Sequence, residues 1–196
     1  MVSSTEEKIF EAARRVFIQK GMEGDRMQEI TNEAGINKAL LHYYFRSKEN
    51  LFHAIFKDIF SKFIQKTRES FHAEISDKEK ILGLIDNYID LIHANPYVPQ
   101  FIINEINRDP EVLKDLLFET GIEPQVILRL FTKHSQKMNI DPRHIFVSIL
   151  GMVIAPVAAR PLMQMVYFNN DPEAYNKFLE ERKNIIKQMI IKFLGL

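Results

Sequence analysis

The sequence contains no cysteine. Disulfides, zinc–thiolate centres and cysteine nucleophiles are therefore excluded, and a reducing cytosol is compatible with the chain. Net charge is absent as well: 26 basic residues balance 26 acidic ones. That balance argues against a broadly basic coat for nucleic acid, yet it leaves room for a local basic patch. The opening residues MVSSTEEKIF place two glutamates where an export signal needs positive charge and then an apolar run. No export is expected, and the cytoplasm is the expected location. Long hydrophobic runs are also missing. The longest uncharged stretch, Ile145 to Ala159, has fifteen residues, includes a proline and is closed by Arg160; it is too short for a span and suits a buried core helix.

Several catalytic signatures are lacking too. There is no glycine-rich phosphate loop, no HExxH and no GxSxG, so the usual phosphoryl-transfer, zinc-peptidase and serine-hydrolase chemistries have no anchor. A di-metal site on a helical bundle needs Glu-x-x-His on each of two helices plus two further inward glutamates. Only Glu69-Ser-Phe-His72 has that spacing, and it occurs once. No catalytic residue, metal or cofactor is expected; the alternative kept open is a helical enzyme or an adaptor without sequence-specific DNA binding.

What the chain does have is apolar content, 46% with fifteen phenylalanines in 196 residues, ample for a core and incompatible with disorder. Its periodicity is helical nearly throughout, with no strand alternation, internal repeat or low-complexity tract. Ser3 and Ser4 each precede a glutamate by three positions, two overlapping capping boxes. Ile9, Ala13, Val16 and Phe17 follow at helical spacing, and Gly21 gives a stop. A second helix is expected from Asp25, boxed by Gln28, to Glu33; Gly35 makes the turn, and Asn37 caps a third helix to about Tyr44. Ser47 caps a long fourth helix whose Leu51, Phe52, Ile55, Phe56, Ile59, Phe60, Phe63 and Ile64 form a wide apolar face. Further helices are expected over 77–94, 96–107, 110–119 and 124–138. Asp141-Pro142 and Asp171-Pro172 repeat one start signal, an acceptor at the cap and proline at the first helical position. The fold expected is all-α.

One stretch breaks the overall charge balance. From Ala34 to Lys48 there is no acidic residue, while Lys38, Arg46 and Lys48 remain. Two short helices, a glycine-containing turn and an acid-free second helix describe a helix-turn-helix. Such a unit lays its second helix in the major groove, where a carboxylate facing phosphates is penalised and each cation gains by releasing counterions.

Residues Gly21 to Phe52, GMEGDRMQEITNEAGINKALLHYYFRSKENLF, resemble the tetracycline-repressor (TetR) family of one-component regulators. The resemblance rests on Glu29-Ile30, Ala34-Gly35-Ile36, Phe45, Ser47-Lys48-Glu49 and Leu51. It implies that Asn37, Lys38 and Leu40 approach base edges, Lys38 reaching guanine acceptors and Leu40 a thymine methyl. Ala39 is the small residue that allows close backbone approach. Ser47 and Lys48 would hold a phosphate through a helix N-terminal N–H and the ammonium. Two positions depart from the family pattern: His42 stands where a phosphate-contacting tyrosine is usual, and Tyr44 where histidine is frequent. Tyr43 remains available as a phosphate contact, and His42 is expected beside the phosphates.

The same resemblance implies a three-part organisation: a DNA-binding head over 1–46, a connecting fourth helix over 47–70, and a ligand-binding and dimerisation body over 71–196. A pocket for a small apolar or amphipathic effector is implied by analogy, with Phe60, Phe63, Ile64, Tyr88, His93, Phe101, Glu105 and Phe118 as its expected lining. Helix-turn-helix proteins read pseudo-palindromic operators as dimers. Phe178, Leu179, Ile185, Ile186, Met189, Ile190 and Phe193 give the last helix more apolar surface than one core needs, and with the helix from Pro142 they are expected to form the homodimer contact. The function expected is a ligand-responsive transcriptional repressor.

Overall fold

A computed structural model describes residues 4–20 and 26–196. Among these the backbone forms helices and no strand: α1 (Ser4–Lys20), α2 (Met27–Ala34), α3 (Lys38–Phe45), α4 (Lys48–His72), α5 (Asp77–Ala94), α6 (Val98–Arg108), α7 (Pro110–Glu119), α8 (Pro124–Lys137), α9 (Pro142–Ala158), α10 (Arg160–Tyr167) and α11 (Pro172–Leu194). The capping box at Ser3, the stop at Gly21 and the cap at Asp25 lie outside the described residues, as does the side chain of Ser4. Asp141 and Asp171 cap α9 and α11 as expected, each accepting the Arg143 or Glu173 N–H at 2.8 Å. Asp109 caps α7 in the same way, accepting the Glu111 N–H at 3.1 Å. Proline at the next position loses nothing, because the first helical N–H has no intrahelical partner.

Packing separates the chain into two compact units, Met1–Ser61 with Asn95–Thr120, and Lys62–Ala94 with Gly121–Leu196. The units follow contacts, so α6 and α7 join the N-terminal helices although the head expected from the sequence ends at residue 46. Aromatic rings explain that grouping. Phe17 of α1 lies 4.4 Å from Phe52 of α4 and 5.6 Å from Tyr97. Phe52 stacks on Phe101 of α6 at 5.0 Å, and Phe56 reaches the same ring at 5.1 Å. These side chains are buried, and each contributes about 1.5–3 kcal/mol by leaving water. An ion pair between Arg14 and Asp58, 2.5 Å, adds a polar tie from α1 to α4.

The second unit is built on α5, whose Ile81, Leu84, Ile85, Tyr88, Ile89 and Ile92 are buried. Helices α9 and α11 pack against it, and α8 packs on α9. Pro156 lies inside α9 and cannot donate to the carbonyl four residues earlier. That carbonyl, of Met152, accepts instead from the Arg182 guanidinium on α11 at 2.8 Å. The buried Tyr175 hydroxyl donates to the Pro156 carbonyl at 2.5 Å. Arg182 of α11 thus closes the proline defect in α9, and Tyr175 of α11 satisfies a carbonyl in the last turn of α9; together they fix the register of those helices.

Two elements differ from the sequence reading. Helix α6 begins at Val98 and not at Pro96. Helix α10 is separate, because α9 ends at Ala158, Ala159 leaves helical geometry, and Pro161 starts the next helix in its first turn.

Candidate nucleic-acid interface

Helices α2 and α3 meet at Gly35, whose φ of 66° and ψ of 33° are left-handed. A side chain would resist that conformation, so glycine is what permits so short a turn. Asn37 is extended and its side chain accepts the Leu40 N–H at 2.8 Å, capping α3. Leu41 and Phe45 are buried, Phe45 lying 5.7 Å from Phe10 of α1. One face of α3 is therefore pinned to the core, and the other is left outside. On that outer side Asn37, Lys38, Ala39, His42 and Tyr43 are exposed, Tyr43 by 79%. Leu40 and Tyr44 are half-buried. Because the Asn37 carbonyl oxygen is committed to the cap, only its amide N–H groups can address a base, and they fit an acceptor.

Carboxylates near this face are occupied. Glu29 of α2 is held by Lys20 at 2.6 Å and Arg26 at 2.8 Å, and those two hydrogen bonds keep its carboxyl below the usual range. Glu33 pairs with Arg15 at 2.7 Å. Both acids are thus turned to cations of the C-terminal half of α1 and to Arg26 just before α2, while α3 contributes none. At the start of α4 the Ser47 hydroxyl accepts the Asn50 N–H at 3.2 Å. Glu49 is kept low by its own backbone N–H and by the Ser47 hydroxyl, as suits an acid in a helix's first turn. Ser47 and Lys48 are half-buried.

Residues 9–55 match the family model described as "Bacterial regulatory proteins, tetR family". That segment, the helix-turn-helix with its flanking helices, is a TetR-family DNA-binding segment. Among curated relatives it is 23% identical to the "Probable HTH-type transcriptional regulator YttP" of Bacillus subtilis (strain 168), across 96% of this chain and 95% of that one. It is 26% identical to the "HTH-type transcriptional regulator RutR" of Escherichia coli (strain K12), across 92% and 91%. Its fold is that of FadR from Bacillus subtilis, solved in complex with stearoyl-CoA, with a TM-score of 0.65 at 19% identity over 94% of this chain and 97% of that one. The ketosteroid regulator KstR2 of Mycobacterium tuberculosis gives a TM-score of 0.68 at 16% identity over 100% and 95%. The chain is a DNA-binding transcriptional regulator, and its helix-turn-helix lies within the matched segment.

The residues expected to line an effector pocket are spread over both units. In the first, Phe60, Phe101 and Glu105 are buried, and Phe60 stacks on Phe56 at 4.2 Å. Glu105 is held by Arg108 at 2.6 Å and His53 at 3.4 Å. Phe118 is 55% exposed, so it does not belong to an enclosed lining. In the second unit Ile64 and Tyr88 are buried, and Phe63 lies 6.1 Å from the Tyr88 ring. Burial raises the Tyr88 phenol well above its ordinary value. His93 is exposed beside a crevice of only about 10 Å³, and burial of part of its ring lowers its imidazole. A larger groove, about 410 Å³, lies in the first unit, with His53, Ala54 and Lys57 of α4 on one side and Val112, Asp115, Leu116 and Glu119 of α7 on the other. None of the eight expected residues lines it. Sequence reasoning missed His53 and Lys57, although both lie on the helix that also carries Lys48.

The expected dimer residues divide by exposure. Ile186 and Ile190 face the protomer's own core, 2% and 3% exposed. Phe178 and Leu179 are half-buried, Phe178 packing on Phe168 at 5.1 Å. Ile185, Met189 and Phe193 do face outward, between 49% and 55% exposed. They are joined among exposed apolar residues by Val147 of α9 and by Leu162, Met165, Val166 and Tyr167 of α10. Among the described residues no group of three or more acidic or histidine side chains is placed to hold a metal ion. No single described helix is long and apolar enough to cross a membrane.

Proposed function

We propose that this regulator is a cytoplasmic repressor, without catalytic activity, that binds a pseudo-palindromic operator as a homodimer and releases it when a small amphipathic effector binds. The observation that carries this reading is the outer side of α3, free of carboxylates, with its Asn37 cap directed outward and Lys38 exposed. Lys38 and Asn37 would read base edges as donors, Leu40 would touch a thymine methyl, and Ala39 would allow the backbone close to the groove floor. His42, Tyr43, Ser47 and Lys48 would hold phosphates and set the register. Residues 1–46 act as the head in this reading and α4 as its lever.

Repression by such a dimer requires two α3 helices about 34–36 Å apart, one duplex turn. Ile185, Met189 and Phe193, with the outward residues of α9 and α10, supply the apolar surface for pairing. An effector weakens DNA binding only by binding better to a conformer whose α3 helices are misplaced, a coupling of about 1–3 kcal/mol. Helix α4 can transmit it, since His53 and Lys57 border the 410 Å³ groove and Lys48 begins the same helix. That volume lies within the range of small-molecule sites. The groove sets the apolar Val112 and Leu116 beside the Lys57 ammonium, which Glu119 holds at 2.9 Å. An amphipathic molecule whose anionic head takes the place of Glu119 fits it, and stearoyl-CoA bound to FadR is an amphipathic molecule with an anionic head.

The test is a gel shift with DNA flanking the chain's own coding region, with and without a panel of fatty acids, acyl-CoAs and uncharged apolar compounds. Retardation that an amphipathic compound reverses is the expected result. Absence of retardation at micromolar protein and low salt would reject the operator reading, and retardation insensitive to the whole panel would reject the effector class.

A further inference from the structure

Between α3 and α4 the chain turns through Arg46 alone. Its φ is 58° and its ψ is −43°. The Ser47 N–H donates to the Phe45 carbonyl at 2.5 Å, a hydrogen bond across three residues with Arg46 at the centre. This is a γ-turn of the rare, strained hand. Glycine would adopt it at the least cost, because the strain comes from the β-carbon.

The turn is held from every side. Phe45 before it is buried against Phe10, and Leu51 after it is fully buried. The Arg46 N–H donates to the His42 carbonyl at 2.9 Å. The His42 imidazole donates from Nδ1 back to the Arg46 carbonyl at 2.9 Å, which leaves Nε2 as its outward atom. Strain of this kind persists only where the surroundings over-determine the backbone, and it concentrates at functional positions.

Here the fold gains nothing from the side chain that causes the strain. Arg46 is exposed, and its guanidinium has no partner among the described residues. A cation kept in a conformation that favours glycine needs a gain from outside the protomer. The residues on both sides indicate where: exposed His42 and Tyr43 precede it, and Ser47 and Lys48 follow it. A guanidinium matches the geometry of a phosphate group in two parallel hydrogen bonds.

We propose that Arg46 is a DNA-contacting residue of this regulator, held by its strained turn so that the guanidinium grips a backbone phosphate between those met by α3 and by the start of α4. The proposal rests on the reading of this face as the DNA-binding surface. It separates folding from binding, since the residue that weakens the turn strengthens the complex.

Three variants test it: Arg46→Gly, Arg46→Lys and Lys48→Ala. Each is measured for thermal midpoint and for affinity to a mixed-sequence 30-base-pair duplex across a salt series. Arg46→Gly should lower the salt slope by about one and weaken binding roughly five- to tenfold at 0.1 M salt, the loss of one phosphate contact. Its thermal midpoint should equal or exceed that of the parent. Arg46→Lys should keep most of the salt slope, because the charge is retained. A parental slope in Arg46→Gly overturns the contact. If Lys48→Ala then still lowers the slope, the DNA-binding face stands and only the role of Arg46 falls; if neither variant lowers it, the face itself is wrongly assigned. A slope lost equally in Arg46→Lys shows that shape and not charge is at stake, and a thermal midpoint lowered by Arg46→Gly overturns the strain account. Both outcomes reject the proposal as stated.

Discussion

The outer side of α3 and the outer side of α11 are both left without partners by the protomer, yet their chemistry is opposite. On α3 the exposed groups are Asn37, Lys38, His42 and Tyr43, donors and aromatic edges with no acid among them. On α11 they are Ile185, Met189 and Phe193, with Leu162, Met165, Val166 and Tyr167 exposed on α10. The first surface has little to gain from another protein and much from a polyanion. The second gains only by leaving water, which a second apolar surface provides. A chain with no net charge thus presents two very different surfaces because its exposed groups are sorted by element and not averaged.

The contrast can be broken most severely at the apolar surface. Phe193→Asp combined with Met189→Asp should raise the dimer dissociation constant by at least a hundredfold, since a two-fold contact presents each substitution twice. Sedimentation at micromolar concentration would then show monomer where the parent shows dimer. Folding should survive, because both side chains are already half in water. A monomeric parent would reject the pairing surface outright.

A smaller effect is expected where α11 is bound to α9. Arg182→Leu removes the donor that satisfies the Met152 carbonyl opposite Pro156, and leaving a buried acceptor unpaired costs about 1–3 kcal/mol. Chemical denaturation should register that loss, while Pro156→Ala in the same background should recover part of it by restoring the helical N–H. No recovery would mean that Arg182 matters for another contact.

On the polar surface, Lys38→Ala should change which duplexes are preferred, by about 1 kcal/mol at one base position. Selection from a randomised duplex pool would read this out, and a uniform loss across all sequences would recast Lys38 as a phosphate contact. The smallest effect is a pH dependence. Hydrogen bonds from Arg143 hold the Asp141 carboxyl down to about 2, so its contribution to α9 is present above the ordinary carboxylate value of about 4 and is lost as pH falls toward 2. Asp141→Ala should flatten that part of an acid-unfolding profile, and an unchanged profile would remove Asp141 from the account.

The head was legible in the sequence because its determinants are local. Gly35, Asn37 and Ser47 act on backbone groups within three residues of themselves, and each performs in the structure the turn or cap that its type and position indicate. The Asp-Pro starts at 141 and 171 are local in the same way. Arg46 was not legible, since nothing in its type announces a left-handed turn; that follows from burial of Phe45 and Leu51 on either side. The pocket list was the weakest part, for an aromatic residue packs as well in a core as around a ligand, and periodicity does not distinguish the two.

The last helix makes the division clear. By itself the sequence determined that α11 is a helix with two apolar rows one residue apart: Ile186, Ile190 and Leu194, and Ile185, Met189 and Phe193. It could not choose between them, because rows offset by one residue lie about 100° apart around the helix and either one is apolar enough to face a core. Arg182 reaching the carbonyl freed by Pro156, and the buried Tyr175 hydroxyl reaching the carbonyl of Pro156 itself, set the rotation of α11 against α9. Contacts between distant parts of the chain, and no local preference, decided which row became core and which was left facing outward.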